Sequence, residues 1–432
     1  MPDISKRPSK KLKLQSLRSV PKRGTSSLRE SLNRLYSRNS QIKHFPDDSF
    51  TRARRGMHEF VEGEYVNTSF GDIFVGKVRY PRDHVHGNRA LLSIRDISDD
   101  WLSRWGKFSQ RRKFDVSKTI FVDTETSGLA GAGGTIAFLI GIGYFYRNRF
   151  QIEQFFVDSH SREEGMLDLV ADFVQPFDTL VTFNGKAFDI PLLETRYLLK
   201  RKQSPFNRME HLDLLHPCRQ LWNLTLDNCK LQTIEKEILH FYREDDLPGD
   251  EIPYAYFRYI RIGDPDPLYR VFQQNADDIA TLAIVTYLLW YQTQGGDEHE
   301  DPTIEFSKGK IFDRYGENEK AIASLERALK KEASIQRQMT IKSQLSMIYK
   351  SRGDWRTAES LWLTMLGNSL PFLLLPYVEL AKYYEHKLKD YFKAKEVVEM
   401  ALSRISPHRV REISELQYRL ARLMRKIEKN GR

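Results

Sequence analysis

One stretch constrains this chain more than any other: Thr119-Ile-Phe-Val-Asp-Thr-Glu-Thr-Ser-Gly128. Ile120, Phe121 and Val122 form a short β-branched and aromatic run, the composition of a buried strand. Asp123 and Glu125 follow two residues apart, and on a strand that spacing sends both side chains to one face. Ser127-Gly128 then turns the chain. Two carboxylates aimed the same way repel unless a cation sits between them, and Mg²⁺ or Mn²⁺ suits such an all-oxygen site. Two solvated acids at a strand end give the same pattern, so Asp-x-Glu alone does not decide the matter.

The 432 residues suffice for about three domains. No apolar run reaches the roughly 20 residues of a membrane helix. The basic N-terminus lacks the apolar core of a secretion signal. Cys218 and Cys229 form neither a disulfide framework nor a zinc site, and they fit a reducing cytoplasm. Residues 1–45 hold twelve Lys/Arg against two Asp/Glu, which accounts for the whole net charge of +10. This tail has too few large apolar residues for a core and reads as disordered. Lys6-Arg7, Lys10-Lys11-Leu-Lys13 and Lys22-Arg23 suit phosphate backbones. A solvating tail or an organelle transit peptide has the same composition.

Residues 46–115 read as a strand-containing leading segment, a cap on the main domain. Gly63 to Tyr80 alternates in places and carries turn residues. His84 and His86 are either a partial metal site or structural groups. Trp101 and Trp105, at i and i+4, mark a short amphipathic helix over 97–108.

Residues 116–294 follow an α/β pattern. Strands are expected at 118–125, 136–146 and 149–157, the last two joined by an Arg147-Asn148 hairpin. Helix 162–175 precedes a strand at 179–183, helix 188–202 and a short strand at 211–215. The glycines of 128–134 lack a Gly-Lys-Ser/Thr ending, so they read as room for a backbone to pass close to the site. Asn184-Gly185 ends the fourth strand, and Asp189 lies near a helix N-terminus, where an acid also caps and complements the dipole. An apolar helix is expected from Asp278 onward, with Ile279, Leu282, Ala283 and Thr286 on one face. Asp278 sits among them, and a buried carboxylate is costly unless paired or metal-bound. Asp277 reads as solvent-facing.

Asp123-Thr-Glu125, Asn184-Gly-Lys-Ala-Phe-Asp189 and Asn275-Ala-Asp-Asp278-Ile-Ala-Thr-Leu282 occur in order. Together they resemble the three motifs of the DEDD 3′–5′ exonucleases of the ribonuclease H-like superfamily, in particular the YprB-type proteins with C-terminal tetratricopeptide repeats. Connecting stretches match too: His211 to Pro217, Leu231 to Glu235 and Leu247 to Pro253. The resemblance spans about 118–290. It implies a mixed five-stranded sheet flanked by helices, with Asp123, Glu125, Asp189 and Asp278 as ligands for two Mg²⁺ or Mn²⁺ ions. Such pairs lie roughly 3.5–4 Å apart, one ion acidifying water and the other stabilising the leaving oxygen. Thr124, Asn184, Lys186 and Phe188 are candidate substrate contacts. Lys186 reads equally as a solvated loop lysine, and Phe183 and Phe188 as core residues, although an aromatic here can stack on a terminal base.

The sequence departs from the family at one place. Gln274 and Gln273 stand where the third motif carries its His or Tyr. A glutamine hydrogen-bonds water but cannot take its proton near neutral pH. Either metal-bound hydroxide suffices, another group is the base, or activity is weak or lost.

Gln294 to Pro302 reads as an acidic linker. Within 303–432, Gly309…Ala321…Leu325…Ala328 recurs as Ser346…Ala358…Trp362 and as Ala381…Ala394…Ala401. The spacings of 37 and 35 residues approach the tetratricopeptide period of about 34. Tyr315-Gly316, Gly353-Asp-Trp355 and Lys389-Asp-Tyr391 supply turns, and a basic helix over 410–428 caps the array. Such repeats bind a protein partner or simply pack on the nuclease.

The expected activity is a metal-dependent 3′–5′ exonuclease on single-stranded nucleic acid, with DNA the expected polymer. The competing expectation is a weak or inactive nucleic-acid-binding scaffold acting through its repeats.

Overall fold

The computed structural model describes residues 56–97, 114–128, 134–294, 301–367 and 370–430. The basic tail, the Trp101/Trp105 helix, most of the glycine loop and most of the acidic linker lie outside the described residues.

Seven strands form one mixed sheet: β1 (Gly63–Thr68), β2 (Gly71–Arg79), β3 (Thr119–Thr126), β4 (Ala137–Tyr146), β5 (Arg149–Phe156), β6 (Thr179–Thr182) and β7 (Glu210–Asp213), in the order β1-β2-β5-β4-β3-β6-β7. From β1 to β3 all neighbours are antiparallel, while β6 and β7 run parallel to β3. The five expected strands are all present. The leading segment, expected as a cap, instead extends the sheet: Phe74 to Arg79 pairs with Phe156 to Gln151. An exposed β5 edge would invite pairing with another chain, and β2 covers it. The β4–β5 hairpin turns on Arg147 and Asn148, both with positive φ (45° and 63°), as a two-residue turn matching strand twist requires.

Both faces of the sheet are covered, which explains why β3 and β4 are continuous apolar runs. Helices α1 (Glu163–Phe173), α2 (Asp189–Leu199) and α4 (Ile252–Ile262) share one core with Ile120 and Val122. Helices α3 (Leu215–Trp222) and α5 (Asp266–Thr293) share the other with Phe121. Helix α5 corrects the expectation of a start at Asp278. It begins twelve residues earlier, with Pro267 in its first turn. Leu268, Val271, Phe272 and Asn275 form a buried stripe at helical spacing, and the intervening Gln273-Gln274 hides that period in the sequence.

The rest of the chain is helical: α6 (Pro302–Arg314), α7 (Asn318–Lys331), α8 (Ile335–Ser351), α9 (Trp355–Thr364), α10 (Leu374–Tyr383), α11 (Tyr391–Arg404) and α12 (Val410–Asn430). Gly309 lets α6 and α7 touch, because a Cβ there would meet Leu325 Cγ at 2.5 Å. Ala321, Ser346, Ala358, Trp362, Ala381, Ala394 and Ala401 are all buried. Gly316, Gly353 and Lys389 take the left-handed turn conformation. The third turn is longer, passing through a π-helical stretch over Tyr384–Leu388. Among the described residues, no helix is long and apolar enough to cross a membrane.

Candidate metal centre

Strand alternation sends Phe121, Asp123 and Glu125 of β3 toward α5. In the register, Asp123 faces Gly141 of β4 and Phe121 faces Gly143. These glycines form a groove for α5. A Cβ on Gly141 would meet Asn275 Oδ1 at 2.1 Å, and one on Gly143 would meet Ile279 Cγ2 at 2.4 Å. The close approach brings Asn275 onto the strand, where its Nδ2 donates to Asp123 Oδ2 (2.8 Å). Gln154 Nε2 fixes that amide by donating to Asn275 Oδ1 (2.9 Å). Asp278, one helical turn beyond Asn275, therefore reaches the same place. Ligand oxygens of Asp123, Glu125 and Asp278 all lie within 4.8 Å of one another.

Three carboxylates this close are hard to ionise together. Burial pushes Asp123 and Glu125 well above the ordinary carboxylate range, and repulsion from Asp278 adds to it. Burial also pushes Asp278 up to about 7, against the pull of Arg243. Such a site is a poor resting place for three anions and a good one for a hard divalent cation, which would draw the protons off. The donor set, oxygen only, fits Mg²⁺ or Mn²⁺.

A family model described as the RNase_H superfamily matches residues 120–290. The uncharacterized protein YprB of Bacillus subtilis (strain 168) is 32% identical over 396 residues, covering 89% of this chain and 93% of its own length. The chain belongs to the YprB family, within the RNase H superfamily. Membership points to a nucleic-acid hydrolase, and RNase H-like nucleases use divalent metals.

The remaining residues singled out in the sequence fall into place unevenly. Asp189 opens α2 beside the trio rather than in it, and Thr124 Oγ1 donates to its Oδ1 (2.6 Å). Burial raises its pKa, while the Thr124 hydrogen bond opposes the rise. Asn184 has a φ of 62° and is the turn residue after β6. Its backbone N–H and that of Lys186 both donate to the Asp213 carboxylate (2.8 and 3.1 Å). Phe183 packs against the α5-side core. Phe188, also expected there, is 53% exposed. It sits at the turn into α2. Gln274 accepts from the Leu247 N–H (3.3 Å), and Gln273 donates to Tyr269 Oη (2.8 Å). Asp277, expected to face solvent, is half-buried and lifted to about 6 by burial. With Gln273 and Gln274 it lines a cavity of about 670 Å³ between α5 and β2.

Arg243 went unseen in the sequence. Its Nη2 donates to Asp278 Oδ1 (2.5 Å) and to Glu235 Oε1 (2.6 Å), and its Nε to Glu235 Oε2 (2.9 Å). Burial works against its charge, but Asp278 and Glu235 outweigh that and hold it above its usual value. Thr281 Oγ1 donates to Glu235 Oε1 (2.6 Å) and lies 2.8 Å from His86 Nε2. His86 is thus a buried prop for this network. Among the described residues, the acid trio is the cluster with metal-ligand geometry. Asn275 carried a legible signal, being three residues before Asp278 and so on its face of the helix. Arg243 carried none, because its loop is remote in sequence from all three motifs.

Proposed function

We propose that this protein is a metal-dependent 3′–5′ exonuclease that hydrolyses phosphodiester bonds in single-stranded nucleic acid, with DNA as the expected polymer. The observation that carries the reading is the meeting of Asp123, Glu125 and Asp278 oxygens within 4.8 Å, with Asp189 held next to them through Thr124. These four residues would hold two Mg²⁺ or Mn²⁺ ions. When bound, the ions supply an acidified water and offset the charge that develops on the phosphate. The chain's own residues set the geometry. Asn275 fixes the Asp123 carboxylate, Arg243 fixes that of Asp278, and Thr124 orients Asp189. Lys186 is exposed on the adjoining loop, placed to meet a phosphate, and exposed Phe188 offers a face to a terminal base. The helical region reads as a tetratricopeptide-like array that docks a protein partner. Cys218 and Cys229 are free thiols, in keeping with a cytoplasmic protein.

The test is digestion of end-labelled single strands with Mn²⁺. A ladder shortening from the 3′ end supports the reading, and uncut substrate from pure, folded protein defeats it. A second reading, a nucleic-acid-binding scaffold without activity, is favoured by two contacts. Arg243 is already paired with Asp278, and Gln274 is turned to Leu247 rather than standing as a base. DNA and RNA single strands assayed side by side choose the polymer.

A further inference from the structure

Helices α3 and α6 enclose a second cleft, of about 390 Å³, where the sheet domain meets the helical region. Among the described residues its charged lining comes from His216 and Arg219 of α3 and from Lys310 and Arg314 of α6, without a carboxylate. Outside the basic tail the chain is electrically neutral, so four potential cations without one acid is a departure from its surroundings. All four are exposed. Arg314 Nη1 donates to Gln220 Oε1 (2.7 Å), which ties its guanidinium across the cleft.

One carboxylate ties the start of α3 to the Lys186 loop at the carboxyl edge of the sheet. Strands β3, β6 and β7 are parallel, so their carboxyl ends share one edge of the sheet. Asp123 and Glu125 stand there. Asp213, at the end of β7, accepts from the Lys186 N–H and also from the Leu215 N–H that opens α3 (3.1 Å). A single side chain thereby sets the Lys186 loop beside the start of α3, and His216 and Arg219 of that helix line the cleft with Lys310.

We propose that this cleft binds the phosphate backbone of a single-stranded nucleic acid whose end lies at the acid trio. Cations from two helices lining one cleft suit phosphates and read no base. The identity of the polymer rests on the nuclease reading; the binding itself does not.

The experiment uses the full chain in EDTA, so that cleavage plays no part, and follows a labelled 20-nucleotide single strand by anisotropy. Arg219→Gln with Lys310→Gln changes two exposed side chains and leaves the basic tail common to both proteins. Affinity is expected to fall about tenfold at low salt. The slope of log affinity against log salt should become shallower by about 1.4, at about 0.7 per lost contact. With Mn²⁺, KM for the 20-mer should rise while turnover of a dinucleotide is unchanged. Equal affinity and equal slope for the two proteins would overturn the proposal. So would a polyglutamate of matched charge, or inorganic phosphate at the same phosphate concentration, displacing the strand as well as unlabelled oligonucleotide does. Loss of binding in the variant with no cleavage by either protein would retire the nuclease reading and keep the cleft. Cleavage with binding unaffected would do the reverse.

Discussion

Two buried glutamates show what separates the two halves of the molecule. Glu385, in the helical region, has a fully buried side chain, with Arg419, Arg422 and Lys426 at 2.9, 2.7 and 2.8 Å. Burial pushes its carboxyl up, but Arg422 and Lys426 outweigh that and hold it at about 2. Glu125, at the end of β3, is buried nearly as deeply, yet its carboxyl is forced well above the ordinary range. The helical array supplies each buried acid with its own cations; Glu305, between Lys308 and Arg327, is another case. The sheet end gathers acids and, among the described residues, pairs them with Arg243. A buried charge without a partner is tolerated where a ligand brings the partner.

The contrast predicts opposite responses, and the largest concerns the trio itself. Asp123→Asn should lower Mn²⁺-dependent cleavage by about three orders of magnitude, the scale on which losing a charge stabiliser of the transition state is felt. The metal-free protein should unfold at the same or a higher temperature, because a neutral amide replaces a carboxyl whose ionisation burial and repulsion oppose. Cleavage and calorimetry on one sample decide it. A variant that still cuts breaks the assignment.

Glu385→Ala should do the converse. It strands three cations that are partly solvated, so urea unfolding should show a loss of about 2–3 kcal/mol, below the 3–5 of a fully buried pair. Cleavage per folded molecule should not change. Lost activity without lost stability would mean that the array shapes the site.

Titration sharpens the same comparison. The trio's carboxyls are raised in the folded state, so the native protein binds more protons than the unfolded chain. Without metal, stability should therefore fall as pH rises from about 4, the unfolded value, to about 7, where Asp278 titrates. Mn²⁺ at 100 times its Kd should add about 2.7 kcal/mol, and its Kd should be tighter at pH 8 than at pH 5.5, since binding expels protons. Glu385 has the opposite sign. Its contribution is present above about pH 4 and is lost as pH falls toward 2. Thermal shifts at pH 3, 5.5 and 8, with and without Mn²⁺, separate the two limbs. Equal metal shifts at pH 5.5 and 8 would remove the argument for an uncompensated trio.

The smallest effect is expected from Gln274→His. It places a titratable group on the Asp278 side of α5, one turn before it, and breaks a single hydrogen bond to Leu247. Cleavage should rise less than about tenfold, below the 10²–10⁴ of a well-placed base, and only above the imidazole pKa. No rise in the pH–rate profile would mean that a missing base does not limit the reaction.

The sequence by itself determined the strands, the shared face of Asp123 and Glu125, the paired helices of the C-terminal region and the concentration of positive charge in the first 45 residues. Each of these is local, resting on alternation, a 3.6-residue period or composition. Tertiary structure decided the rest. The leading hairpin joins the sheet because the β5 edge needs a partner, and no local pattern names that edge. Asp278 reaches Asp123 because Gly141 and Gly143 let α5 settle onto β4. Arg243 pairs with Asp278 across 35 residues, and Asp189 stands beside the trio through a threonine hydroxyl. These are contacts between elements remote in the chain. Their cause is the shape of the packed surfaces, which periodicity along one strand or helix cannot encode.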